Sequence, residues 1–321
     1  MRARRLSWIC AIWRKRPTVR GNTVAQFSII LLIATSVWAQ NVVSLSSPLT
    51  ETIYALGAQS HVLGVSDVCT FPRRVVSDRR AGKVREVGAF TNPDYQLIDR
   101  LHPDVILTST GFQEPIAARF RSMGYRVLHF EPHSLSEVFK QMEEVGQAVG
   151  KGAEARNLTD SMRRDWKEIG RKSAVLPRVR VYMELNHEGP WTTGARSPLN
   201  DIIVAAGGEN IFSDHDEGVF VATHEEIIKR NPDIVLSPIW TDAKVGGMDG
   251  IIPLLQIFLR PGYADTNAVR NSRVLYYDSA LLKHEGPRQI LAIQKLAYLL
   301  HPDAFENPRE TIPWELGRIL Q

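Results

Sequence analysis

Residues 134–174 form one polar, charged, helix-favouring stretch with no strand candidate, and strands alternate with helices on both sides of it. Ahead of it, 42–46 reads as a buried strand entering a turn at Pro48. Residues 49–56 read as a helix closed by Gly57, and 61–65 as a second strand. Residues 104–109 and 126–130 are strands around a helix over 114–123 that Gly124 ends. Beyond Pro177 a strand over 178–185 restarts the alternation. It continues through helices 198–206 and 223–230, strand 233–237, a helix near 251–259, strand 273–277 and helix 286–300. Such alternation predicts parallel pairing in α/β layers.

The second part of the polar stretch, residues 153–173, is roughly 30 Å long if helical. It is either a surface helix within one domain or a spine joining two α/β lobes. A weak internal repeat favours the spine. Gln96-Leu-Ile-Asp-Arg-Leu-His-Pro-Asp-Val-Ile-Leu-Thr-Ser109 aligns with Glu225-Glu-Ile-Ile-Lys-Arg-Asn-Pro-Asp-Ile-Val-Leu-Ser237, apart from one extra residue late in the first copy. Proline cannot continue a helix, so each Pro-Asp marks a sharp corner into a buried strand. One copy lies on each side of the charged helix. The expected organisation is a leader over 1–39, a first lobe over 40–150, a linking helix over 151–176 and a second lobe over 177–321.

The basic balance does not belong to this body. Residues 1–39 hold seven Arg and Lys and no Asp or Glu; the whole chain is +4, so residues 40–321 carry −3. Nucleic acid is therefore not an expected partner. Within the leader, an apolar run over 27–34 and then Val37-Trp38-Ala39 fit a secretory signal cleaved before Gln40. A membrane span needs about 20 apolar residues, and this run is shorter; an uncleaved N-terminal anchor is the alternative. After cleavage only Cys69 of the two cysteines remains, so no intramolecular disulfide is expected. The body is expected to be periplasmic and monomeric.

Catalytic signatures are missing: no G-x-S-x-G, H-E-x-x-H, C-x-x-C or G-x-x-x-x-G-K-[ST] occurs. His129 and His133 have i, i+4 spacing, but Pro132 between them argues against a helical metal site. No catalytic residue, resident cofactor or metal is assigned. Binding rather than catalysis is expected.

Several pieces together carry a resemblance. Ser44-Leu-Ser-Ser-Pro-Leu-Thr-Glu-Thr-Ile-Tyr-Ala-Leu-Gly57, Leu63-Gly-Val-Ser66, Phe71-Pro72 and Val87-Gly-Ala-Phe-Thr-Asn-Pro93 come first, followed by the two Pro-Asp corners. Ala206-Gly-Gly-Glu-Asn-Ile-Phe212 and Gly286-Pro-Arg288 complete the set. In order and spacing they resemble the helical-backbone periplasmic binding proteins that serve ABC importers for vitamin B12, iron-siderophores and haem. The cobalamin-binding branch is the most similar.

The resemblance implies two α/β lobes joined by a single long rigid helix, with the ligand in the cleft between them. A corrinoid is a broad, partly aromatic plate, so apolar and aromatic side chains from both lobes suit it. The positions on the family's ligand-facing segments are Ser47, Pro48, the 66–69 turn with Val68, and Phe90 in the first lobe. In the second lobe they are Trp191, Val219 and Phe220. Val68 and Val219 stand where the vitamin B12 binder has aromatic residues.

The implied partner is an ABC permease, met in the family by one carboxylate on each lobe about seven residues before the Pro-Asp corner. Glu225 keeps that carboxylate, whereas Gln96 stands at the matching first-lobe position, with Asp94 or Asp99 as possible substitutes. Three alternatives stand beside a cobalamin-like cargo. The first is a ferric siderophore or haem, with Arg73, Arg74 and Arg196 available to a charged chelate. The second is a metal-ion binder using His187, His215 and an acidic partner, and the third is an exported enzyme.

Overall fold

The computed structural model describes residues 40–186, 189–239, 255–282 and 284–308. The leader, His187 and part of the helix expected near 251–259 lie outside these; residues 255–259 are helical.

Two parallel sheets organise the body. The first has five strands in the order Arg85–Glu86, Val62–Val65, Val42–Ser44, Val105–Ser109, Val127–Phe130. The second has four, in the order Gly208–Asn210, Val179–Met183, Ile234–Ile239, Val274–Asp278. Both sheets are covered on both faces, so their strands read as near-continuous apolar runs. Side chains still alternate between the two faces. Val42, Val105 and Leu107 pack with Leu49, Ile53 and Tyr54 on one face of the first sheet. Val43 and Ile106 pack with Ile98 and Phe120 on the other. Val181, Met183, Ile234 and Leu236 likewise share one second-lobe cluster while Tyr182 and Val235 belong to another.

The internal repeat of the sequence is also a repeat of structure. Helix Tyr95–Leu101 ends at His102 with φ 47°, and helix His224–Arg230 ends at Asn231 with φ 44°, both left-handed. After each proline the aspartate ties the new strand to its neighbour. Asp104 Oδ2 accepts from the Asn41 N–H at 2.8 Å while its own N–H donates to the Asn41 carbonyl at 2.9 Å. Asp233 does the same with Arg180, at 3.0 and 2.8 Å. The corner thus begins the strand ladder with a side chain, which is why Asp follows Pro in both copies.

The lobes are joined by the helix Gly152–Ser173, 22 residues and roughly 33 Å long. Its buried stripe is Ala155, Thr159 and Met162, at helical spacing. Helix Leu135–Ala148 runs beside it, placing Leu135, Val138, Phe139 and Met142 in the second lobe's core and Val145 in the first's. Gly146 permits this contact, since a Cβ there would lie 2.3 Å from Ala155 Cβ. Among the described residues no helix is long and apolar enough to cross a membrane.

Candidate functional site

In open parallel sheets the carboxyl ends of the strands form the crevice where ligands sit. In the first lobe these ends lead into 45–48, 66–69 and 110–113, and small hydroxyls tie them together underneath. Ser109 Oγ donates to Ser46 Oγ at 2.7 Å, Thr50 Oγ1 lies 2.8 Å from Ser44 Oγ, and Ser66 Oγ donates to the Leu45 carbonyl at 3.0 Å. The buried Cys69 thiol, which burial pushes up in pKa, accepts from Thr50 Oγ1 at 3.2 Å. A satisfied buried network of this kind makes a rigid floor.

Gln113 couples that floor to the lip above it. Its Oε1 accepts from the Ser109 N–H at 2.8 Å, and its Nε2 donates to the Leu45 carbonyl at 2.9 Å and the Phe90 carbonyl at 2.7 Å. From the other side the Phe90 N–H donates to Asp67 Oδ1 at 3.1 Å. Phe90 is therefore half-buried and held at both ends of its residue. Val68, in the adjacent turn, is 43% exposed, and its own N–H also goes to Asp67 Oδ1. Phe112, in the turn that follows strand Val105–Ser109, is 78% exposed, and sequence reasoning did not pick it out. Its signal was an aromatic following Gly111 at a strand's carboxyl end.

Ser47 and Pro48 are buried at the start of helix Ser47–Ala55. Pro48 lies against Gly286 of the second lobe, so this segment meets the lobe junction. Ser47 Oγ has no hydrogen-bond partner among the described residues. The junction also holds a pair that sequence reasoning missed: Arg288 Nε donates to both carboxylate oxygens of Glu51.

In the second lobe an antiparallel hairpin, Trp191–Thr193 against Val219–Val221, forms the lip. Trp191 is opposite Val221 and Thr193 opposite Val219. Trp191 and Val219 are 39% and 54% exposed, and Val221 is exposed beside them. Phe220, one residue away, points to the other face. Its ring stacks on His215 at 4.6 Å and meets Phe212 edge-on at 5.4 Å. The half-buried Phe220 thus supports the hairpin from behind, while its neighbours present the open surface. Gly194 lets the hairpin base close, as a Cβ there would lie 2.6 Å from the carbonyl oxygens of both His215 and Glu217.

The remaining candidates are also accounted for. His215 Nε2 lies 3.2 Å from Glu226 Oε1, and among the described residues no three His, Cys, Asp or Glu could together hold a metal. His129 is engaged by Thr108 and Glu114. Arg73, Arg74 and Arg196 are exposed, Arg74 within 3.6 Å of Asp78. Gln96 and Glu225 are both exposed and both second residues of their helices, confirming their equivalence in the repeat. Thr223 caps the Glu225 helix, as Asp94 caps the Gln96 helix. Asp99 accepts a 2.6 Å bond from the Tyr125 hydroxyl.

The pattern of the periplasmic binding protein family matches residues 42–281. An ABC transporter substrate-binding lipoprotein of Bacillus subtilis is 30% identical, over 84% of this chain and 82% of its own length. The vitamin B12-binding protein of Yersinia pestis is 22% identical, over 68% of this chain and 76% of its own. Among solved structures, the apo periplasmic haem-binding protein of Roseiflexus superposes with a TM-score of 0.68 at 23% identity, covering 83% of this chain and 99% of that one. The periplasmic vitamin B12-binding protein of Vibrio cholerae gives 0.67 at 18% identity, with 83% and 98% covered. The two-lobed fold expected from the sequence is thus the fold of these neighbours, and the chain belongs to the periplasmic binding protein family as a substrate-binding protein of the ABC importer class.

Proposed function

We propose that this chain captures a cobalamin-like corrinoid in the cleft between its lobes and delivers it to an ABC permease outside the cytoplasm. The observation that carries the reading is the pair of open apolar lips. Val68 and Phe112 are exposed at strand ends of the first lobe, and Trp191 and Val219 on the hairpin of the second. A plate bound between them removes apolar area from water on both faces, at about 25 cal/mol per Å². Phe90, pinned by Gln113 and Asp67, adds a fixed ring, and Phe220 braces the opposite lip. Ser47 and Pro48 form the floor near the lobe junction. The vitamin B12-binding relatives support a corrinoid cargo.

Delivery is proposed to use Glu225 and the face around Gln96, the two equivalent helix positions. The basic, apolar leader fits export with cleavage before Gln40. Calorimetric titration of residues 40–321 with cyanocobalamin, haem and a ferric siderophore tests the cargo. Saturable 1:1 binding of cyanocobalamin is expected. Saturation by haem or the siderophore, with none by cyanocobalamin, would reassign the cargo within the same class.

A further inference from the structure

Residues 73–86 hold six Arg and Lys against Asp78 and Glu86, in a body that carries net negative charge overall. That stretch folds into helix Arg73–Arg80 and the edge strand Arg85–Glu86, with helix Tyr95–Leu101 alongside. Between them runs a groove of about 850 Å³, floored by Val84, Leu97 and Leu101 and rimmed by Arg80, Arg85, Arg100 and the Arg79–Glu86 pair. Three other cations of the stretch have carboxylate partners. Arg79 bonds Glu86 at 2.7 Å, and Asp78 faces Arg74 and Lys83. Arg80, Arg85 and Arg100 are exposed and have no carboxylate partner among the described residues. Among the described residues strand Arg85–Glu86 pairs only with Val62–Val65, so its outer backbone edge also faces the groove's side of the lobe.

A charge on an edge strand commonly guards it against stray pairing, which would account for Arg85 alone. It does not account for Arg80 and Arg100, which come from two helices and converge on the same apolar floor. Three planar cations around an apolar trough fit a chain segment carrying both carboxylates and apolar side chains, since each guanidinium can take a carboxylate bidentately. The groove shares helix Tyr95–Leu101 with Gln96, and Gln96 and Arg100 lie four residues apart on one helix face. The neutral position that matches Glu225 therefore adjoins an unpaired cation.

We infer that this groove receives an acidic segment of the permease, so that the first lobe docks through cations where the second docks through Glu225. The inference rests on the reading of the chain as a permease-delivered binding protein. Its test uses the full chain, a fluorescein-labelled octapeptide of alternating glutamate and leucine, and the triple variant Arg80→Gln/Arg85→Gln/Arg100→Gln. Anisotropy should show saturable peptide binding that weakens with salt and falls at least tenfold in the triple variant, by about the discrimination a lost set of charge pairs supplies. The peptide should also displace the chain from membrane vesicles containing its permease. Absence of peptide binding, equal binding by the triple variant, or failure to displace overturns the inference. So does binding to vesicles of phosphatidylglycerol and phosphatidylethanolamine without peptide binding, which makes the groove a membrane contact. Cyanocobalamin titration of the same two proteins reads the cleft independently. Loss of cargo binding with peptide binding intact rejects the cargo reading alone, and the converse rejects the groove alone.

Discussion

Arg288 of the second lobe donates its Nε–H to the Glu51 carboxylate of the first, 3.0 Å from one oxygen and 2.9 Å from the other. The two residues are 237 positions apart; the Glu51 side chain is fully buried and that of Arg288 mostly so. The guanidinium also lies 3.9 Å from the centre of the Phe71 ring, and its NH2 group meets His284 Nδ1 at 3.1 Å. Burial pushes the Glu51 carboxyl up in pKa, and Arg288 opposes that shift. Removing one partner of such a pair leaves an uncompensated buried charge, which costs about 3–5 kcal/mol. Arg288→Ala should lose that much stability by chemical denaturation. The apolar double replacement Glu51→Leu/Arg288→Met should recover most of it. A loss below about 1 kcal/mol in the single variant would contradict a buried, paired state.

The hairpin separates binding from support within three residues. Trp191→Ala should weaken corrinoid binding by roughly 1–3 kcal/mol with the denaturation midpoint nearly unchanged, the scale for a large apolar contact. Phe112→Ala should behave the same way. Phe220→Ala should instead cost stability, because its ring fills space against His215 and Phe212. Equal loss of affinity without loss of stability in Phe220→Ala would place that ring on the open face after all.

Much of this architecture was legible in the sequence because it is local. Pro103-Asp104 and Pro232-Asp233 announced two corners, since proline ends a helix and the following apolar run starts a strand. The strand at 105–109 and the helix at 152–173 declared themselves by buried runs and helical stripes. The lips were harder. Strands of two or three residues, such as Gly88–Ala89 and Val219–Val221, carry no measurable period, and only their partners fix which side chain faces out. Hence Val219 and Phe220 were legible as one ligand-facing segment but not as opposite faces. Glu51 and Arg288 meet only through the tertiary fold, as do Gln113 and Phe90.

Burial at the lobe junction shifts the pKa values of two neighbouring residues in opposite directions. Glu285 keeps some surface in water, yet its carboxyl group is enclosed, and burial pushes it up to about 7 against the pull of its own backbone N–H. An acid raised from 4.5 keeps its proton longer when folded, so its contribution to stability falls as pH rises from 4.5 to about 7. Burial and the Arg288 charge hold His284 down at about 4, so its contribution falls as pH drops from 6.5 toward 4. The two slopes oppose between 4.5 and 6.5. Glu285→Gln should therefore gain stability relative to the parent progressively up to pH about 7 and hold that gain above it. A constant difference across that range would contradict the assignment.

Glu225 is exposed, second in its helix, and capped from Thr223, so its carboxylate is free to meet a partner. Glu225→Gln should slow association with the permease while cargo affinity stays unchanged, because an exposed rim charge acts mainly on approach and orientation. Uptake that is undiminished at physiological salt would remove Glu225 from the docking surface.

The central claim is that one plate-shaped cargo touches both lips. Hydrogen–deuterium exchange of residues 40–321 with and without cyanocobalamin tests it most directly. Saturating cyanocobalamin should slow exchange together at 110–113 of the first lobe and at 189–193 of the second. Slowing confined to one lobe, or slowing at both lips by haem and not by cyanocobalamin, would contradict it.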